Sequence, residues 1–212
     1  MSFEQTIQPF AGQLLTQAVL MDLLKEYHWP HNKIRELEKK GLLSPIKRGL
    51  YTTGPKLKLP RPSAFLIANH IYGPSYVSME AALSHWELIP EKVVNITSMT
   101  TGPSRNFRTP AGLFSYKKMR LPYYCYGIQQ VELSHNQTVL MAGPEKAICD
   151  LIVTRAGVIL RSTGNVSDFL IEDLRIERRA LQELKREEIK TWIAHAPKKS
   201  SLNMLVKTLE KL

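Results

Sequence analysis

Residues 14–53 read LLTQAVLMDLLKEYHWPHNKIRELEKKGLLSPIKRGLYTT, and the reading of the whole chain turns on them. Thr16 stands where a helix N-cap is wanted. Behind it Leu20, Leu23, Leu24 and Tyr27 fall on one helical face, with Asp22, Lys25 and Glu26 off it, which predicts a helix over 17–27. Pro30 suits the first turn of a second helix, where its missing N–H costs nothing, and Gly41 suits a left-handed stop. At about 100° per residue, Ile34, Leu37 and Gly41 share one side of that second helix. Asn32, Arg35, Glu36 and Lys39 share the other, flanked by Lys33 and Lys40. Residues 42–53, LLSPIKRGLYTT, then read as two short strands around a turn near Lys47, Arg48 and Gly49. Helix, turn, helix and a basic hairpin form the layout of a winged helix-turn-helix, which sets one helix into the major groove of DNA.

The outer face of the second helix has chemistry suited to that task. An Asn amide pairs with adenine edges, an Arg guanidinium with guanine or phosphate, and Glu36 can accept from a cytosine amine. Lys33, Lys39 and Lys40 are expected mostly on phosphates, with Arg35 and Lys39 positioned to read or place bases. Lys47 and Arg48 at the hairpin tip are expected to grip backbone or enter the minor groove.

Charge is distributed accordingly. The 212-residue chain carries a formal net charge of +10, with 43% hydrophobic and 23% charged residues, ordinary values for a globular protein with a core. Residues 33–58 hold Lys33, Arg35, Lys39, Lys40, Lys47, Arg48, Lys56 and Lys58 against only Glu36 and Glu38. Residues 92–131 hold Lys92, Arg105, Arg108, Lys117, Lys118 and Arg120 and no acid. Residues 156–212 mix the two signs densely, as solvated helix faces do. A basic surplus gathered this way favours nucleic acid as partner, and Arg105, Arg108, Lys117, Lys118 and Arg120 are candidate additional contacts.

The run HWPHNKIRELEKKGLLSPIKRGLY, residues 28–51, resembles the N-terminal domain of AbiEi-type antitoxins, the transcriptional regulators of type IV toxin–antitoxin systems. Two further segments are similar to motifs of that family: PSYVSMEAALSHWELIP at 74–90 and GPEKAICDLI at 143–152. The likeness runs, with gaps, from about residue 14 to 155; beyond 156 it is one of helical character alone. It implies an autorepressor that binds double-stranded operator DNA at repeated sites. It also implies a second domain that counters a nucleotidyltransferase-like toxin without a stable complex.

The expected fold is thus α+β. A winged helix-turn-helix over 1–60 is followed by a mixed α/β domain over 61–212, helical from about 156. KLKLPRP, residues 56–62, reads as a linker, followed by a helix at 63–71. A second helix at 79–88 is expected to be capped by Ser78. Strands are expected at 93–99, 113–119, 123–133 and 138–142, with residues 100–113 as turns and a helix from Pro144 to about Arg155. A last amphipathic helix starts near Ser201.

Other chemistry is scarce. Cys125 and Cys149 are too few for a disulfide framework or a zinc site, and both are expected reduced in the core. Histidines 28, 31, 70, 85, 135 and 195 form no H-E-x-x-H or H-x-H pattern, and no Gly-rich phosphate loop is present. Glu145 and Asp150, five apart, suit capping and packing better than catalysis. No catalytic residue, metal or cofactor is assigned. MSFEQTIQPF is not patterned as a secretion leader and no stretch is long enough for a membrane span, so a cytoplasmic protein is expected. The alternative function is an effector-sensing repressor that binds a small molecule in the second domain. A nucleic-acid-processing enzyme ranks last.

Overall fold

A computed structural model describes residues 3–133 and 137–212 as a mixed α+β chain; His135 lies outside the described residues. The N-terminal elements are α1 (Phe3–Ile7), β1 (Leu15–Thr16), α2 (Gln17–Leu23), α3 (Pro30–Lys39), β2 (Leu43–Lys47) and β3 (Leu50–Thr53). Both β1 and β2 pair antiparallel with β3. The Thr16 hydroxyl accepts from the Val19 amide at 3.3 Å and caps α2. Instead of running to residue 27, α2 stops at Leu23. Trp29 precedes Pro30 and is held out of the helical region at ψ 74°, so the chain needs the preceding residues to turn. Tyr27, expected on the apolar face, is consequently 40% exposed.

Pro30 opens α3 and Gly41 closes it at φ 71°, with the Leu42 amide donating to the Leu37 carbonyl at 2.9 Å. Gly54 is needed for a different reason. A Cβ there would stand 2.2 Å from the Gly41 carbonyl oxygen, where the two backbone segments cross.

Phe3, Ile7, Leu15, Leu20, Leu24, Ile34, Leu37, Leu42 and Leu43 close into a small core. Ile46 and Leu50 belong instead to the large core of the following domain. The ladder shifts register between Pro45 and Lys47, so Ile46 stands at an irregularity in β2, and it packs into the large core while Leu43 packs into the small one. The hairpin is therefore a wall shared by both cores.

Next come α4 (Ala64–Ile71), β4 (Ser75–Val77), α5 (Met79–His85), β5 (Asn95–Thr100), β6 (Arg105–Thr109) and β7 (Gly112–Lys118). They are followed by β8 (Ile128–Leu133), β9 (Gln137–Ala142) and α6 (Pro144–Thr154). The six strands form one sheet in the order β6-β7-β5-β4-β9-β8, parallel at β5–β7 and β4–β9 and antiparallel elsewhere. Helix α4 covers one face, where the Tyr116 hydroxyl donates to the Ala68 carbonyl at 2.6 Å. Helix α6 covers the other, where Tyr76 reaches Asp150.

Five expectations for this domain need correction. Residues 100–113, read as turns, contain β6; as an edge strand it has Phe107 as its sole apolar side chain, too little alternation to announce it. The strand expected from Tyr123 begins at Ile128, because residues 123–125 form a helical turn and Gly127 takes φ 62°. Within that turn Tyr123 and Tyr124 occupy the inside, so Cys125 is exposed while Cys149 is buried. Burial pushes the Cys149 thiol far above its usual range. A disulfide-exchange reagent is accordingly expected to titrate one thiol, Cys125, in the native protein and two after denaturation.

Ser78 occupies the N-cap position of α5, but its hydroxyl donates to Asp150 Oδ2 at 2.7 Å and caps nothing. Helix α5 ends at His85, three residues early, where Glu87 turns left-handed at φ 57° and the Leu88 amide donates to the Leu83 carbonyl. Glu87 is exposed, and glycine occupies that backbone conformation without strain. Glu87→Gly is expected to stabilise the protein by about 0.5–1 kcal/mol, read as a rise in melting temperature of roughly 1–4 °C.

The chain ends in α7 (Thr163–Ser167), a π-helical turn at Asp168–Asp173, α8 (Arg178–Gln182), α9 (Arg186–Ile193) and α10 (Lys199–Leu209). Leu202, Leu205, Val206 and Leu209 of α10 are buried in the large core.

Candidate nucleic-acid interface

Helix α3 buries Ile34 and Leu37 and turns Asn32, Arg35 and Lys39 to solvent. Glu36 lies between two lysines of the same helix. Lys33 Nζ is 3.0 Å from its carboxylate and Lys40 Nζ 2.5 Å. The Lys40 and Lys33 hydrogen bonds hold the Glu36 carboxyl below its ordinary range, and Glu36 in turn raises Lys40. The flanking lysines are thus partly occupied, whereas Arg35 and Lys39 project with no ion pair among those resolved in the described residues. Lys33 also sits 5.0 Å above the Tyr27 ring. Helix α2 meets α3 through Gln17 Nε2 and His31 Nδ1, 3.4 Å apart.

Beside the start of α3 stands Trp29, 69% exposed and in edge contact with His28. The sequence reading gave it no role. Its signal is its position directly before the helix-opening proline, where a tryptophan has no core to enter.

The hairpin tip is a two-residue turn, Arg48-Gly49, between paired Lys47 and Leu50. Arg48 is exposed. Lys47 is not free: its ammonium donates to the carbonyl of Ile71 at the end of α4. Of the two tip cations expected at backbone, one thus fastens the hairpin to the second domain.

The second basic group divides. Register pairs Arg105 with Tyr116 and Arg108 with Leu113, so these two arginines leave opposite faces of the edge strand. Arg105 lies 5.3 Å over the Tyr72 ring, one residue beyond the carbonyl that Lys47 holds. Lys117, Lys118 and Arg120 line a separate groove with His195. The five candidates do not make one surface.

The acids of α6 are structural. Glu145 accepts from the Lys185 amide at 2.8 Å. Asp150 is fully buried, 3.0 Å from the equally buried Lys146 ammonium, and accepts from Tyr76 and Ser78. Among the described residues no group of three or more His, Cys, Asp or Glu is placed to hold a metal ion, and no helix is long and apolar enough to cross a membrane. Compared with models of known protein families and with curated protein sequences, the chain matches none of either.

Proposed function

We propose that the chain is a sequence-specific DNA-binding regulator whose N-terminal unit is a winged helix-turn-helix. One observation carries the reading. Helix α3 is backed by a small core, turns Asn32, Arg35 and Lys39 outward, and leads directly into an antiparallel hairpin tipped by Arg48. The order helix, strand, helix, helix, hairpin, with β1 completing the sheet, supports a wing rather than a chance ribbon. In this reading α3 enters the major groove, and Lys33, Lys40 and Arg48 meet phosphates.

The three motifs at 28–51, 74–90 and 143–152 extend the proposal to an AbiEi-like antitoxin acting in the cytoplasm. Such a protein represses its own operon and counters a nucleotidyltransferase-like toxin without binding it stably. The test is equilibrium binding to DNA from immediately upstream of the chain's own gene, at physiological salt and against a shuffled duplex of equal length. Preference for the upstream DNA by tenfold or more is expected. Equal affinity for both duplexes would sink sequence-specific regulation, and failure to rescue cells expressing the neighbouring toxin gene would sink the antitoxin half alone.

A further inference from the structure

The uncovered part of the large sheet carries two adjoining grooves that DNA binding leaves unexplained. One, of about 580 Å³, lies between the end of β7 and the end of α6 and is lined by Lys117, Lys118, Arg120, Ser104, Thr154 and His195. No acidic side chain lines it. The His195 ring is stacked on Tyr126, which fixes its plane. Lys198, nearby in sequence, is committed elsewhere, with its ammonium donating to the carbonyls of Ile152, Arg155 and Val158. Three cations gathered in a concave site without a carboxylate suit a phosphoryl group.

The neighbouring groove, of about 640 Å³, shares Lys117 and has a different lining. Strand register places Asn95, Thr97, Asn106 and Ser115 on one face of β5, β7 and β6. Asn95 and Ser115 hydrogen-bond each other at 3.0 Å, while the Asn106 amide is exposed to the groove. Glu80, Glu91 and Asp173 stand on the walls, with Glu91 paired to Arg175 at 3.3 Å. Met79, also on the wall, holds φ 57° at the β4–α5 elbow, a conformation that is costly for a side-chain-bearing residue. Amides recognise base edges and carboxylates accept from ribose hydroxyls. Ser115 and Lys117 are one two-residue strand step apart, about 7 Å, on the scale of the sugar between base and phosphate.

We propose that these two grooves form one nucleotide site. The phosphates lie among Lys117, Lys118 and Arg120, and the base lies over the patch formed by Asn106, Ser115 and Asn95. This makes the second domain a nucleotide sensor, independent of what α3 binds.

The experiment is fluorescence anisotropy of N-methylanthraniloyl-ATP with the full chain at physiological salt, competed by ATP, tripolyphosphate and a twelve-residue oligoribonucleotide. ATP is expected to compete at least tenfold better than tripolyphosphate. Lys118→Ala/Arg120→Ala, two exposed positions, is expected to weaken ATP tenfold or more with unchanged melting temperature. Asn106→Ala is expected to weaken ATP and leave tripolyphosphate unaffected, and Arg35→Ala on α3 to leave both unaffected. The proposal is overturned if the labelled nucleotide does not bind, if tripolyphosphate competes as well as ATP, or if the oligoribonucleotide competes where ATP does not.

Discussion

Lys146→Met is expected to destabilise the protein by about 3–5 kcal/mol, because it leaves the Asp150 carboxylate buried without its cation. The reason lies in the cage around the pair. Lys146 and Asp150 are both 0% exposed and 3.0 Å apart on α6. The Lys146 ammonium also donates to the Tyr123 carbonyl at 3.0 Å and lies 3.3 Å from the centre of that tyrosine's ring. Asp150 Oδ2 takes hydrogen bonds from Tyr76 at 2.9 Å and Ser78 at 2.7 Å, so β4, the elbow before α5 and the 123–125 turn are all tied to one helix. Burial, and then the Asp150 charge, push the Tyr76 and Tyr123 phenols well above their ordinary range, so both stay neutral and add no second anion beside the carboxylate.

At roughly 2–4 °C per kcal/mol for a chain of this size, the melting temperature should fall by about 6–20 °C. Lys146→Met/Asp150→Asn keeps acceptors for the two hydroxyls and removes both charges, and it is expected to recover a large part of the loss. A single variant within 1 kcal/mol of the parent would show that the pair does not hold these elements together.

Nothing in GPEKAICDLI announces that cage. A lysine and an aspartate four apart read as an ordinary solvent-facing pair; what buries them is Tyr76, Ser78 and Tyr123, more than twenty residues away and beyond any periodicity argument. Thr16, Pro30 and Gly41 were legible because a cap, a first-turn proline and a left-handed stop are local signals, complete within one helix turn. The outward turn of Asn32, Arg35 and Lys39 was legible because α3 keeps its two apolar residues on one side.

The fate of Lys47 was not legible, since its acceptor is a backbone carbonyl that any residue at position 71 would offer. The nucleotide grooves were equally hidden. They depend on β7 lying between β6 and β5, a neighbour relation that chain order does not state. Here the sheet's crossover, rather than any motif, brings Asn106, Ser115 and Asn95 onto one face.

Arg35→Ala is expected to produce the largest loss in DNA binding, about 1–3 kcal/mol against the upstream duplex and little against a shuffled one. Arg35 is the exposed guanidinium in the middle of α3, with the five donors and planar fork that a base edge can engage twice. Lys39, a turn further on, carries a compact charge, and Lys39→Ala is expected to weaken binding to both duplexes.

The hairpin cations should separate in the same assay. On the proposed reading, Arg48→Ala removes one phosphate contact and should flatten the slope of log affinity against log salt by about one unit. Lys47→Ala should leave that slope unchanged and lower the melting temperature instead, because its ammonium is spent on the Ile71 carbonyl that fastens the hairpin to α4. Glu36→Gln should act in the opposite sense. It releases Lys33 and Lys40 from their shared partner and takes an anion off the face, so affinity for any duplex should rise and its salt dependence steepen. If Arg35→Ala lowers affinity for both duplexes equally, α3 lies along the phosphates rather than in the groove. If Lys47→Ala flattens the salt slope as Arg48→Ala does, the wing leaves α4 when it meets DNA.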